Sequence, residues 1–334
     1  MSGVLALTMG DPAGIGGEIA LAAWQALRRE GPVFVAIDDP ARLTTLAAAL
    51  AQGVPVRAVS SVAEAAAVFP RALPVLAEPL PTPACPGRPD PAHGPTILAS
   101  IRRAVALARA GEVAAVVTNP IAKTTLFDAG LPHAGHTSWL AELAGGGDPV
   151  MMLASPKLRV VPVTVHIPLA AVPRVLTVER IVTAGRITAA ALAADFGLAR
   201  PRLAVAGLNP HAGEGGTIGD EEERIIRPAI ASLRAMGLDV SGPHAADSLF
   251  HNRARQGYDA ALSMYHDQAL IPVKTLDFAG TVNVTLGLPI VRTSPDHGTA
   301  YDIAGQGKAD PSSLIAALRL AAEIAARRRL ARAA

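Results

Sequence analysis

Cysteine is almost missing from this chain. Cys85 is the single one in 334 residues, which excludes an internal disulfide framework and any zinc cluster built on thiolates. Lysine is scarce as well. Lys123, Lys157, Lys274 and Lys308 are four among 30 basic residues, a bias that reads first as genome composition and makes each retained lysine worth following. Neither sign of charge dominates: 30 basic residues face 28 acidic ones, a net of +2. The isoelectric point near 8.9 is basic, but no long Lys/Arg stripe accompanies it, so no nucleic-acid partner is expected. No charge-free apolar run approaches the roughly 18 residues that span a bilayer, so no membrane partner is expected either. Residues 1–12 lack the basic start, apolar run and cleavage site of an export signal, which leaves a cytoplasmic protein as the expectation.

Half of the chain is hydrophobic, enough for a large core, and the length suits about two domains. Short β-branched runs alternate with longer helical stretches. Strands are predicted at Val4–Thr8, Val33–Ile37, Val113–Thr118, Arg159–Val165, Leu203–Gly207, Ala260–Ser263 and Val282–Thr285. Helices are predicted at Gly16–Arg29, Pro95–Ala110, Val178–Phe196, Glu221–Met236 and Pro311–Arg332. Several strands are apolar on both faces, which implies an α/β fold whose largely parallel sheet is covered by helices on both sides. Leu80–Pro95 is proline-rich and reads as a connecting loop. Arg327, Arg328, Arg329 and Arg332 close the last helix, where positive charge is favourable at a C-terminus without any nucleic-acid tail.

Three histidines follow predicted strands: His166 after Val160–Val165, His211 after Leu203–Gly207, and His266 after Ala260–Ser263. In a parallel sheet such positions share one edge, the edge on which α/β proteins build their sites. Three imidazoles with an open position form a catalytic metal set; three separate hydrogen-bonding histidines are the alternative. Asp267 can act as a base, as a partner to His266, or as a plain helix cap. His136 and Thr137 precede a short helix, where they can cap it or donate to a substrate oxyanion. Lys274, Asn283 and Arg292 are strong donors inside apolar, strand-like stretches. Together they suit a phosphate or carboxylate; singly they suit a solvated edge. The turn Gly10–Gly17 joins a strand to a helix and either cradles an anion or is structural; its spacing is neither that of a dinucleotide fingerprint nor that of a P-loop. Ser294–Pro311 is a long polar loop of the kind that holds function.

The chain resembles the 4-hydroxythreonine-4-phosphate dehydrogenase family of vitamin B6 biosynthesis over essentially its whole length. Thr8–Gly16, Gly135–Thr137, Leu208–Glu214, Tyr265–Gln268 and Val282–Pro289 carry the resemblance. It implies two α/β/α lobes of the isocitrate/isopropylmalate dehydrogenase-like type with a cleft between them. The expected division is 1–130 plus 285–334 for the first lobe, and 131–284 for the second, which would hold the metal ligands and the dimer interface. The implied activity is NAD-dependent oxidation of 4-phosphooxy-L-threonine followed by decarboxylation to 3-amino-2-oxopropyl phosphate. NADP is the alternative cofactor, and one divalent ion (Zn, Mg or Co) per subunit is implied. By this resemblance His166, His211 and His266 bind the metal, one of them from the partner of a homodimer with a shared active site. His136, Thr137, Lys274, Asn283 and Arg292 bind the substrate, a small phosphorylated amino acid. His297, Gly298 and Asp302 contact the adenosine half of the cofactor, and Asp267 and Lys274 handle protons. Gly17 stands where the family often has Pro, which affects helix entry more than chemistry. A paralogue acting on 4-phosphothreonate or a dihydrodiol acid is the nearest alternative. A metal-dependent aldolase or lyase without nicotinamide, and a non-catalytic phosphate-binding protein, are the rivals from other classes.

Overall fold

The computed structural model describes residues 3–122, 125 and 136–333. The chain divides into two compact units, 1–149 with 288–329 and 150–287 with 330–334. The first boundary falls later than the expected 130/131. Helix His136–Ala144 packs on helix Gly94–Arg109 of the first unit, burying Leu140, Ala141 and Ala144 in that unit's core, and Arg102 lies over the Trp139 ring at 5.5 Å.

In the first unit, strands β1 (Leu5–Thr8), β2 (Phe34–Asp38), β3 (Val56–Val59), β4 (Leu73–Ala77), β5 (Ala115–Val117) and β12 (Arg292–Pro295) form a sheet in the order β3-β4-β2-β1-β5-β12. Every pairing in it is parallel. Strands β1, β2 and β5 are buried throughout, as a sheet covered on both faces requires. Crossover helices follow the strands: Gly16–Leu27, Pro40–Ala49, Val62–Val68 and Gly94–Arg109. Asp39 caps the second by accepting from the Ala41 and Arg42 amides, and Ser61 caps the third through the Glu64 amide.

The second unit runs β11-β6-β7-β10-β8-β9, with β6 at Val150–Ala154, β7 at Arg159–Pro162, β8 at Arg202–Ala206, β9 at Asp239–His244, β10 at Ala260–Ser263 and β11 at Val282–Leu286. Its sheet is mixed. β7, β10, β8 and β9 pair in parallel, whereas β6 is antiparallel to both β7 and β11. The short link between β6 and β7 permits only a hairpin, which accounts for the reversal. One segment departs from expectation. Ile271–Leu276, read as strand-like, belongs to helix His266–Leu276. Packing decides the outcome there: Ala269, Leu270 and Val273 enter the core, and the helix tolerates Pro272. Among the described residues no helix is long and apolar enough to cross a membrane.

Candidate functional site

The second unit brings two of the three histidines together. After β7 the chain is laced to the segment after β10: the Val163 amide donates to the Ser263 carbonyl at 2.8 Å, and the Thr164 hydroxyl to the Met264 carbonyl at 2.7 Å. These bonds carry His166 beside His266, with ring centroids 5.7 Å apart. Gln268 extends the lacing to β8. Its amide nitrogen donates to the Gly207 carbonyl at 2.7 Å, while its oxygen accepts from the Met264 amide at 2.6 Å. The histidines therefore follow the C-terminal ends of three adjacent parallel strands.

His266 opens its helix, and its Nδ1 lies 2.7 Å from Asp267 Oδ1. The helix cap is Tyr265, which gives no side-chain bond, so Asp267 is not the cap. A carboxyl group on Nδ1 fixes the imidazole tautomer and leaves Nε2 as the ring's free lone pair, the usual arrangement behind a metal-binding histidine. This donor set suits a divalent ion. Among the described residues, no three His, Cys, Asp or Glu side chains gather for a metal within one chain.

His211 lies on an unusual turn. His211, Ala212, Gly213, Glu214 and Gly215 all have positive φ, from 44° to 77°. For a residue with a Cβ this conformation costs about 1–2 kcal/mol, and three of the five carry one. His166 has φ 53° as well. Strained backbone of this kind persists where its surroundings over-determine it.

The proposed anion donors are distributed between the units. Lys274 lies seven residues after Asp267 on one helix, hence on the same face and about 10 Å along the axis; its Nζ sits 5.6 Å from the centre of the Phe278 ring. Asn283 is the half-buried second residue of β11. Arg292 begins β12 in the first unit, is 6% exposed, and donates to the Thr118 hydroxyl at 2.6 Å. Burial pushes its pKa down to about 10, which still leaves a cation at neutral pH. His136 and Thr137 begin helix His136–Ala144; their side chains lie outside the described residues.

The polar loop after β12 belongs to the first unit. His297 directs Nδ1 to the Gly298 carbonyl at 3.0 Å, and its Nε2 is buried with no hydrogen-bond partner among the described residues. A Cβ placed on Gly298 would meet open space. Asp302 is exposed. An orphaned buried ring nitrogen beside an open glycine suits a polar ligand such as a dinucleotide.

Sequence reasoning missed what holds this loop. The amides of the glycine turn are occupied within the protein: Asp11 N–H goes to Pro120 O, Ala13 N–H to Asp11 Oδ1, Gly14 N–H to Asp11 O, and Ile15 N–H to Thr299 O. The turn is thus structural at these positions rather than an anion cradle. Its acids reach to the polar loop. Asp11, 2% exposed, accepts from the Thr125 hydroxyl at 3.1 Å and the Tyr301 hydroxyl at 2.6 Å. Burial and the Asp11 contact push the Tyr301 phenol up to about 12, so it donates as a neutral group. Glu18, also 2% exposed, accepts from the amides of Gly305 and Gly307. Both glycines have positive φ. The helix N-terminus around Glu18 is a visible acidic position in the sequence, but its partners lie 287 and 289 residues away.

Two α/β units, the second with histidines after the C-terminal ends of parallel strands, match the class of α/β enzymes that build their sites at strand ends. Comparison with known proteins gives the family. Residues 30–321 match the model described as pyridoxal phosphate biosynthetic protein PdxA, and the chain belongs to the PdxA family. A relative from Caulobacter vibrioides named 4-hydroxythreonine-4-phosphate dehydrogenase is 58% identical over 330 residues, 97% of this chain and 98% of its own. The crystal structure of 4-hydroxythreonine-4-phosphate dehydrogenase from Klebsiella pneumoniae shares 41% identity with a TM-score of 0.86, covering 97% of this chain and 100% of that one. A terephthalate 1,2-cis-dihydrodiol dehydrogenase from Burkholderia xenovorans is more distant, at 31% identity and a TM-score of 0.64, covering 97% of this chain and 98% of that one.

Proposed function

We propose that this protein oxidises 4-phosphooxy-L-threonine with NAD, after which the 3-oxo acid loses carbon dioxide to give 3-amino-2-oxopropyl phosphate, a step of pyridoxal phosphate formation. The observation that carries this reading is kinship over nearly the full chain with enzymes of that name. The dihydrodiol alternative rests on a weaker likeness in both identity and fold.

His166, His211 and His266 would hold a divalent ion, one of them contributed by a second copy of the chain. When bound, such an ion supplies Lewis-acid stabilisation of charge on the substrate's reacting oxygens, and the nicotinamide accepts the hydride. Asp267 keeps the His266 ring in one tautomer and one orientation through the 2.7 Å contact. Lys274 presents its ammonium on the same helix face, where it can accompany the substrate's anionic groups or move a proton. Asn283 and the buried Arg292 supply further donors for carboxylate and phosphate, with His136 and Thr137 assigned to the same task. His297, Gly298 and Asp302 would receive the adenosine half of NAD, Asp302 through a ribose hydroxyl.

A homodimer follows from the same reading. Leu169, Ile271 and Phe278 are 66%, 63% and 67% exposed. They flank the histidines: Leu169 follows His166, Ile271 shares the His266 helix, and Phe278 comes just after it. Their burial against a second copy is what this reading would require.

The test is NADH formation from NAD and synthetic 4-phosphooxy-L-threonine, with 4-phosphothreonate and a cis-dihydrodiol acid as comparison substrates. Turnover of the first at least tenfold above the others is expected; preference for either comparison substrate, or turnover without NAD, overturns the assignment.

A further inference from the structure

The turn that carries His211 is gripped from below by one buried acid. Glu222 is 1% exposed. Its Oε1 accepts from the Leu208 and Asn209 amides, both at 2.7 Å, and its Oε2 accepts from Asn209 Nδ2 at 2.9 Å. Asn209 Nδ2 donates its second proton to Glu221 Oε2 at 2.7 Å. The fit is close on both sides of the turn. A Cβ on Gly213 would stand 2.6 Å from Glu222 Oε2, and one on Gly207 would stand 3.1 Å from Oε1. Glu222 also begins a π-helical turn, Glu222–Ile226, that leads into helix Arg227–Ala235; single π turns of this sort recur at functional sites.

Two features of this arrangement work against stability. A carboxyl group is buried with only N–H partners, and the backbone it holds is left-handed at His211, Ala212 and Glu214. An apolar side chain at 222 over an ordinary turn would fold more easily. Both features converge on the backbone immediately around His211, and a strained outlier of this kind points to a positional requirement there.

We propose that Glu222, acting through Asn209 and the Leu208–Asn209 amides, is a positioning residue that presets the turn carrying His211 for a divalent metal ion. The inference rests on the reading of His211 as a metal ligand. Its content is that metal affinity, and not fold stability alone, depends on Glu222. Gln at 222 isolates the effect. Its oxygen can still accept the two backbone amides, but its NH2 then faces the NH2 of Asn209, and the link that orients the turn is lost.

The experiment titrates cobalt(II) into the metal-stripped, assembled protein and reads the visible bands of the bound ion. It is run on wild type, Glu222→Gln, Asn209→Ala and His211→Ala, with melting temperatures of stripped and loaded forms. Glu222→Gln is expected to weaken cobalt binding by about 10–100-fold and alter its bands, and to shrink the rise in melting temperature that cobalt produces. Asn209→Ala, which keeps the acid and both backbone bonds, is expected to weaken binding several-fold. If Glu222→Gln does not fold, Asn209→Ala decides alone, and wild-type affinity and bands in it overturn the proposal. If His211→Ala binds weakly while Glu222→Gln binds as wild type, Glu222 is only structural and the proposal fails with the metal reading intact. If His211→Ala binds cobalt as wild type does, the metal reading itself fails.

Discussion

Two loops of this protein, one in each unit, are held by the same device and differ in what the device restrains. In the first unit Glu18 accepts the amides of Gly305 and Gly307, and Asp11 accepts the Tyr301 hydroxyl. In the second unit Glu222 accepts the amides of Leu208 and Asn209. Each acid is buried and bonded to neutral donors. The loop in the first unit places glycine at the positive-φ positions that Glu18 holds, so it is gripped without steric strain there. The turn in the second unit forces His211, Ala212 and Glu214 into the same region of backbone space. On the proposed reading, the first loop would receive a large dinucleotide and needs a stable outline. The second, on the same reading, would present one imidazole ring in a fixed direction, and the strain is tolerated for it.

The comparison is broken most severely by removing Glu18. Glu18→Ala removes the buried carboxylate that accepts the Gly305 and Gly307 amides, a loss of about 1.5–3 kcal/mol for charge-assisted bonds, and lowers the melting temperature. Its folded fraction should show a KM for NAD raised at least tenfold with cobalt affinity near wild type. Next comes Asp267→Asn, which disturbs the His266 tautomer. Metal affinity should fall by roughly 10–100-fold, read by cobalt titration, while the KM for NAD stays put. Tyr301→Phe deletes one bond to Asp11, about 1 kcal/mol, and should raise the KM for NAD a few-fold with unchanged metal binding.

The smallest effect concerns pH. Burial holds the His244 imidazole below its usual value of 6.5, so the folded protein prefers the neutral ring. The sign follows from linkage: the unfolded chain binds the proton more readily, so this contribution is complete above about 6.5 and is lost as pH falls below it toward the folded value. His244 Nε2 pairs with the Ser241 hydroxyl, and its carbonyl accepts the Gly207 amide just before the His211 turn. His244→Gln should flatten the decline of melting temperature over that acid range; an unchanged slope would remove His244 as its source.

Much of the scaffold was legible in the sequence because burial on both faces leaves unbroken apolar runs. β1, β2, β8 and β10 lie within a residue or so of expectation, as does helix Val178–Ala194, capped by Thr177. β3, β4, β6, β9 and β12 escaped because they carry arginine, proline, serine or methionine and lack a distinctive pattern. Helix His266–Leu276 was hidden by the β-branched residues and Pro272 of its second half; its identity depends on Gln268 bonding to Gly207 across the sheet edge, a contact no local pattern encodes. At the site, the strand-end positions of His166 and His266 were readable from alternation alone. Glu18, Asp11 and Glu222 were not, because a buried acid looks like any surface acid until its distant partners are known. The glycine turn shows the same limit: its composition suits an anion, yet its amides are satisfied within the chain.

The account depends most on the two gripped loops having separate tasks. Calorimetric titration of NAD and of cobalt(II) into Glu18→Gln and Glu222→Gln tests this directly. The expected pattern is crossed: Glu18→Gln binds NAD at least tenfold more weakly and cobalt as wild type does, whereas Glu222→Gln weakens cobalt and spares NAD. Equal loss of both ligands in both variants would mean that the two acids support the fold alone.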